Sequence, residues 1–135
     1  TAVFYSGTVA GAREAAIRGI PAMAFSAPVG VDLEQVAAHS ARMAERFLKV
    51  ERPEGQALLL NVNFPKQPAL GVKVARTGTQ IYEEQVTPRH DPAGREYFWI
   101  GGRAVEYGQT EGTDTQAVAE GYAAITPIEL TATRF

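Results

Sequence analysis

The chain contains no cysteine, which excludes a disulfide framework and any thiolate metal site and is compatible with a reducing compartment. It has no apolar run long enough to span a membrane and no signal-peptide pattern at Thr1, so no membrane partner and a cytoplasmic location are expected. Basic residues are in no surplus. The formal charge is -2, and without a Lys/Arg stripe no nucleic-acid polymer is expected as a partner. Ten of the 13 basic residues are Arg, which suits forked contacts to carboxylate or phosphate and equally fits a genome-wide bias. A starting methionine is missing as well; Thr1 opens directly into strand-favouring residues, and the chain is expected to be a fragment.

What is present suffices for one core. With 135 residues, 45% of them hydrophobic, about two thirds of the unfolded surface can be buried. Thr1 to Tyr5 favour an extended backbone and Val9 to Arg18 a helix, so Ser6-Gly7-Thr8 marks a helix N-terminus. There the free N–H groups and the positive end of the helix dipole favour an anion. Glycine admits close approach, while the hydroxyls of Ser6 and Thr8 can cap the helix or donate to phosphate. Read from this stretch alone, both roles stay open.

Downstream, Gly19 and Pro21 end the helix, and Ala22 to Ser26 read as a short strand covered on both faces. Asp32 caps a helix from Leu33 to about Val50, with Leu33, Val36, Ala37, Ala44, Phe47 and Leu48 on one stripe. After a turn at Arg52-Pro53-Glu54-Gly55, Ala57 to Phe64 form a second buried strand that ends at Pro65. Strand, helix, strand, helix, strand is the rhythm of a doubly wound layer, in which ligands bind beyond the carboxyl ends of the strands.

From Leu70 the pattern changes to exposed strands of period two. Asp91-Pro92-Ala93-Gly94 has the residue order of a type I turn, Arg95 to Ile100 return as an aromatic-rich strand, and Gly101-Gly102 mark another turn. A lone hairpin cannot bury Tyr97, Phe98, Trp99 and Ile100, so something else should cover it. Thr113 and Gln116 fit a capping box opening a short helix through Tyr122. Ala123 to Leu130, interrupted by Pro127, read as an edge strand or an extended tail.

Few side chains suggest chemistry by themselves. His39 and His90 lack triad or ligand spacing and read as structural or solvated. Ser6 has no nucleophile elbow and no evident base. The adjacent Glu83 and Glu84 point to opposite strand faces. Asn61 and Asn63 share a strand face, where they either satisfy backbone groups or reach a site.

Four segments in order carry a more specific signal: Tyr5-Ser6-Gly7-Thr8-Val9; Leu60-Asn61-Val62-Asn63-Phe64-Pro65; the Asp91-Pro92-Ala93-Gly94 arm running to Gly101; and Gly112-Thr113-Asp114 followed by Ala117 to Tyr122 and Ile125-Thr126-Pro127. Together they resemble the survival protein SurE family. The resemblance implies an α/β fold with a Rossmann-like three-layer core, present here in part, a protruding β-hairpin arm and a C-terminal helix and strand tail. It divides the chain into the C-terminal part of the core (1–69), the oligomerisation arm (70–111) and a tail exchanged between subunits (112–135). The implied activity is metal-dependent hydrolysis of nucleoside 5′- and 3′-monophosphates by a homodimer or homotetramer held by the arm and tail.

Within that family pattern Ser6, Gly7 and Thr8 resemble phosphate contacts. The family also carries an Asp-Asp pair that helps hold the metal, and this sequence has none. The ligands of a divalent ion, Mg²⁺ or Mn²⁺, are therefore expected upstream, and no catalytic residue or metal ligand is assigned within the chain, which as written is expected to be incomplete for activity. Two other readings stand beside this one: a non-catalytic oligomerisation module, and another phosphate-binding α/β enzyme sharing only the helix terminus.

Overall fold

The computed structural model describes residues 2–51, 58–79, 81–105 and 110–130, and the backbone alone at residues 2, 81–84 and 102–105. The expected turn at 52–55 lies outside the described residues. Two short helices open the chain, α1 (Ala2–Tyr5) and α2 (Gly7–Ile17). They are followed by β1 (Ala22–Ser26), α3 (Leu33–Leu48), β2 (Leu59–Asn63) and β3 (Val72–Val74). A long hairpin, β4 (Ile81–His90) and β5 (Glu96–Val105), precedes α4 (Asp114–Ala119) and β6 (Ala123–Ile128).

The core sheet has the order β1-β2-β6-β3. β1 and β2 are parallel and joined through α3, β6 runs antiparallel to β2, and β3 runs parallel to β6. Alternation along the strands sends side chains to two faces. On one face Ala22 and Leu59 pack with Ala16 of α2, and on the other Val62, Phe64 and Ala123 pack with Val36 and Met43 of α3. The result is an α/β fold with a three-layer, Rossmann-like core.

Several local expectations are corrected. Residues 2–5 are helical, not extended. With only Ser6 between them and α2, the weak strand preference of Val3, Phe4 and Tyr5 yields to the adjoining helix. The buried stripe of α3 is rotated from the expected one. Leu33 and Leu48 are exposed, while Val36, His39, Ser40, Met43, Ala44 and Phe47 turn inward, a regular i, i+3, i+4 face.

β6 is an interior strand, not an edge. Pro127 is accommodated because its nitrogen points to the β3 side. Donor direction alternates along a strand, Ala123 N–H reaches Gly71 just before β3, and β3 pairs β6 only from Ala123 to Ile125. No ladder bond is lost at Pro127. Val72–Val74 belong to this core sheet, so the free-standing hairpin comprises β4 and β5 alone.

The hairpin turns where expected. Gly94 N–H donates to Asp91 C=O at 2.9 Å, Asp91 Oδ1 accepts from Ala93 and Arg95 N–H at 2.9 Å each, and Gly94 takes a positive φ of 80°. Gly101 and Gly102, however, continue β5 opposite Gln85 and Glu84. The Trp99 ring lies 3.6 Å from where a Gly101 Cβ would stand, so a neighbour covers the bare backbone.

Candidate functional site

Ser6 forms the N-cap of α2. Its backbone is extended (φ -74°, ψ 120°), its Oγ accepts from Val9 N–H at 3.3 Å, and its carbonyl accepts from Ala10 N–H at 2.9 Å. The capping role is thus observed, and it falls to Ser6, not Thr8. Gly7 and Thr8 are exposed in the first turn, where helical N–H groups lack intrahelical partners.

The fold places this turn at the carboxyl end of the parallel strands. Gly19, at a positive φ of 79°, reverses the chain so that α2 and β1 run antiparallel. Ala16 packs level with Ala22 and Leu59. Ser6, ten residues earlier, lies roughly 15 Å up the helix. Ser26 and Asn63, four residues along their strands, lie roughly 13 Å up the sheet. They pair in register and, by alternation from Ala22 and Leu59, face α2. The structure therefore brings Ser6, Gly7, Thr8, Ser26 and Asn63 to one end of one face, the last two from strand ends.

Asn61 and Asn63, alike in sequence, separate here. Asn63 is half-buried at the strand end, whereas Asn61 is buried further down the same face. Ser26 is absent from any reading of the sequence as a site residue; only the parallel register brings it to Asn63, and no local pattern signals that pairing.

Other candidates stand elsewhere. His39 Nδ1 lies 2.8 Å from Gln35 C=O on its own helix, and His90 is exposed at the end of β4. The side chains of Glu83 and Glu84 lie outside the described ones. A narrow cleft between the start of α3 and the segment Phe64–Ala69 opens on the opposite face of the sheet. Among the described residues no group of three or more His, Cys, Asp or Glu side chains is placed to hold a metal ion.

The shifted titrations also lie away from the site. The hydrogen bond between Lys73 and Glu120 (2.6 Å) raises the lysine above its usual value and holds the glutamate below the carboxylate range; Lys73 Nζ also lies 4.0 Å from the Tyr122 ring centroid.

A second polar cluster closes the base of the hairpin. Asp114, buried at the start of α4, accepts through Oδ1 from Gly78 N–H at 2.7 Å and Thr115 N–H at 2.8 Å. Arg76 N–H donates to Gly112 C=O at 3.0 Å, and Asp114 N–H donates to Arg76 C=O at 2.9 Å. Thr113 caps α4 as expected, but Gln116 Oε1 accepts from Gly112 N–H at 2.9 Å, one residue before the cap. All of Asp114's described bonds are to backbone amides within this clasp, so its role is to join chain segments.

Comparison with known proteins agrees with this architecture. The model of the family Survival protein SurE matches residues 1–84. The chain is 43% identical over 130 residues to a 5′-nucleotidase SurE of Sorangium cellulosum, covering 95% of this chain and 50% of that protein. It is 41% identical over 140 residues to a 5′-nucleotidase SurE of Symbiobacterium thermophilum, covering 100% and 54%. The crystal structure of the SurE protein from Aquifex aeolicus superposes with a TM-score of 0.74 at 37% identity, covering 98% of this chain and 54% of that one. The chain spans about half the length of the curated relatives it matches. With a family model covering more than half of it and relatives above 40% identity along nearly all of it, the chain belongs to the survival protein SurE family.

Proposed function

We propose that this chain supplies the phosphate-holding part of a nucleotidase that hydrolyses nucleoside 5′- and 3′-monophosphates. The carrying observation is the α2 N-terminus at the carboxyl end of β1 and β2, with Gly7 and Thr8 exposed there. The 5′-nucleotidase names of the relatives supply the substrate class. In this reading the amides of Gly7 and Thr8, the Thr8 hydroxyl and the positive end of the α2 dipole donate to nonbridging phosphate oxygens, stabilising charge that grows as the ester breaks. Ser6 keeps its Oγ on Val9 N–H and holds the turn in shape. Mg²⁺ or Mn²⁺ belongs to the reading, with its ligands expected upstream of this sequence.

The test separates binding from capping. Titrating the full chain with inorganic phosphate should move the amide resonances of Gly7, Thr8 and Val9, and Thr8→Ala should weaken that binding several-fold while leaving thermal stability unchanged. In a form that carries the metal ligands, Thr8→Ala should lower turnover of a nucleoside monophosphate. Ser6→Ala should instead cost about 1 kcal/mol of stability. Phosphate-insensitive amides at Gly7 and Thr8 would remove the stretch from the site.

The hairpin favours a compatible second role, assembly of copies of the chain into a dimer or tetramer. Phe98, Trp99 and Ile100 are 59%, 62% and 78% exposed, and single-chain proteins rarely leave such a run uncovered. Sedimentation of a chain with residues 81–105 replaced by a short turn, which spares β3, should show monomers. An oligomer surviving that change would contradict the role.

A further inference from the structure

Below the strand-end pair Ser26 and Asn63, the face of β1, β2 and β6 under α2 carries polar side chains at one fully buried level. Asn61 on β2 and Thr126 on β6 stand opposite each other in the antiparallel ladder, 3% and 1% exposed. Asn61 Oδ1 and Thr126 Oγ1 are both buried, and neither has a hydrogen-bond partner among the described residues. Leaving such atoms unpaired costs more than an ordinary hydrogen bond contributes, which is why buried polar groups in folded proteins almost always have a partner.

Their surroundings narrow what that partner is. Ala24 flanks Asn61 on β1, and Ala124 precedes Thr126 on the same face of β6; both are buried and too small to fill the level or to offer a side-chain donor. From the contact of Ala16 with Leu59, Asn61 lies roughly 7 Å up the sheet, between the levels of Ala12 and Val9 on α2. Val9, on the following turn of α2, is itself 3% exposed. Side chains directly opposite in an antiparallel pair have Cβ atoms about 5 Å apart. Two hydrogen bonds of about 2.8 Å meeting at a tetrahedral angle span roughly 4.5 Å. Two facing acceptor oxygens at one level suit one small molecule that donates twice. Both oxygens are neutral and no carboxylate lies beside them on the sheet, which favours a neutral donor over a cation.

We propose that Asn61 and Thr126 form the two-point seat of a single internal water, which donates one O–H to Asn61 Oδ1 and the other to Thr126 Oγ1 beneath the first turns of α2. Internal waters of this kind make two to four hydrogen bonds to otherwise unpaired groups. The seat couples β2 to β6 through side chains as well as through the backbone ladder. It does not depend on phosphate binding at Ser6-Gly7-Thr8, so either reading can fail alone.

The measurement is water-to-protein cross-relaxation on the isotope-labelled full chain. The wild type should show cross-peaks of the sign given by a long-lived water at both the Asn61 side-chain amide and the Thr126 methyl. Thr126→Ser, which keeps the hydroxyl, should retain the Asn61 signal; Thr126→Val and Asn61→Leu should each abolish it at the remaining partner. Wild-type spectra without a long-lived water at these groups would overturn the proposal, as would an Asn61 amide signal that persists in Thr126→Val. Should the apolar variants fail to fold, the wild-type and Thr126→Ser spectra decide the matter.

Discussion

Replacing Gly78 by alanine tests the clasp at the base of the hairpin. A Cβ built there would stand 2.6 Å from Thr115 Oγ1, 3.0 Å from Asp114 Oδ1 and 3.3 Å from Thr113 Cβ. The first distance, to the half-buried Thr115, is far inside contact, and the other two neighbours, Thr113 and Asp114, are 4% and 7% exposed. Relief requires the loop 76–79 to withdraw from α4, which breaks the 2.7 Å bond from Gly78 N–H to Asp114. A hydrogen bond to a charged group contributes about 1.5–3 kcal/mol, and overpacking a closed site adds about 1–3 kcal/mol. The expected loss is therefore about 3–5 kcal/mol, a large part of the roughly 5–15 kcal/mol typical of a domain. Melting should fall by roughly 10–20 °C, and urea denaturation gives the free energy directly. Adding Thr115→Ala removes the closest obstacle and should restore about 1–2 kcal/mol, a non-additive result expected of touching residues. A neutral Gly78→Ala variant, or strict additivity in the double variant, would refute the reasoning.

Two further predictions concern local devices. Asp91 is held below the usual carboxylate range, first by the Arg95 backbone N–H and then by its side chain and the Ala93 N–H. Its contribution to the turn is thus complete above the ordinary aspartate value and is lost as pH falls through the depressed one. Amide shifts of Ala93 and Arg95 should titrate with a midpoint below that of an unfolded aspartate, and a midpoint at or above it would contradict the assignment. Asp32 accepts from Glu34 and Gln35 N–H at 3.0 and 3.2 Å; Asp32→Ala should cost about 1 kcal/mol and Asp32→Ser far less, and equal stability of all three forms would remove the cap from the account.

What the sequence disclosed was local in origin. The caps at Asp32 and Thr113 and the turn at Asp91–Gly94 depend on residues within four positions of each other, and they stand where their chemistry put them. The strand, helix, strand unit from Ala22 to Asn63 was equally legible, since length and burial of both strand faces leave few alternatives. The misread elements depend on distant neighbours. Gly101 looks like a turn until β4 is laid beside it, and the inward face of α3 includes His39 and Ser40, which polarity alone assigns to solvent. At the candidate site, Ser6-Gly7-Thr8 announced a helix terminus, but the meeting of Ser26 with Asn63 is a matter of register. Asn61 and Thr126 are 65 positions apart in the chain and opposite in the sheet, and the bond from Gly78 to Asp114 spans 36.

Pro127 also governs its neighbour. The parallel ladder between β3 and β6 runs through Ala123 N–H to Gly71 C=O and Ala75 N–H to Ile125 C=O, so the next rung would ask residue 127 to donate to Ala75 C=O. A proline cannot supply it. β3 therefore cannot lengthen beyond this point, and the chain must leave the sheet at Arg76, the residue from which it enters the clasp and then the hairpin. One imide nitrogen in the penultimate residue of β6 thus fixes the exit point of the chain at Arg76, 51 residues earlier. With alanine at 127 the rung becomes available, and the departure of the arm is left to the clasp alone.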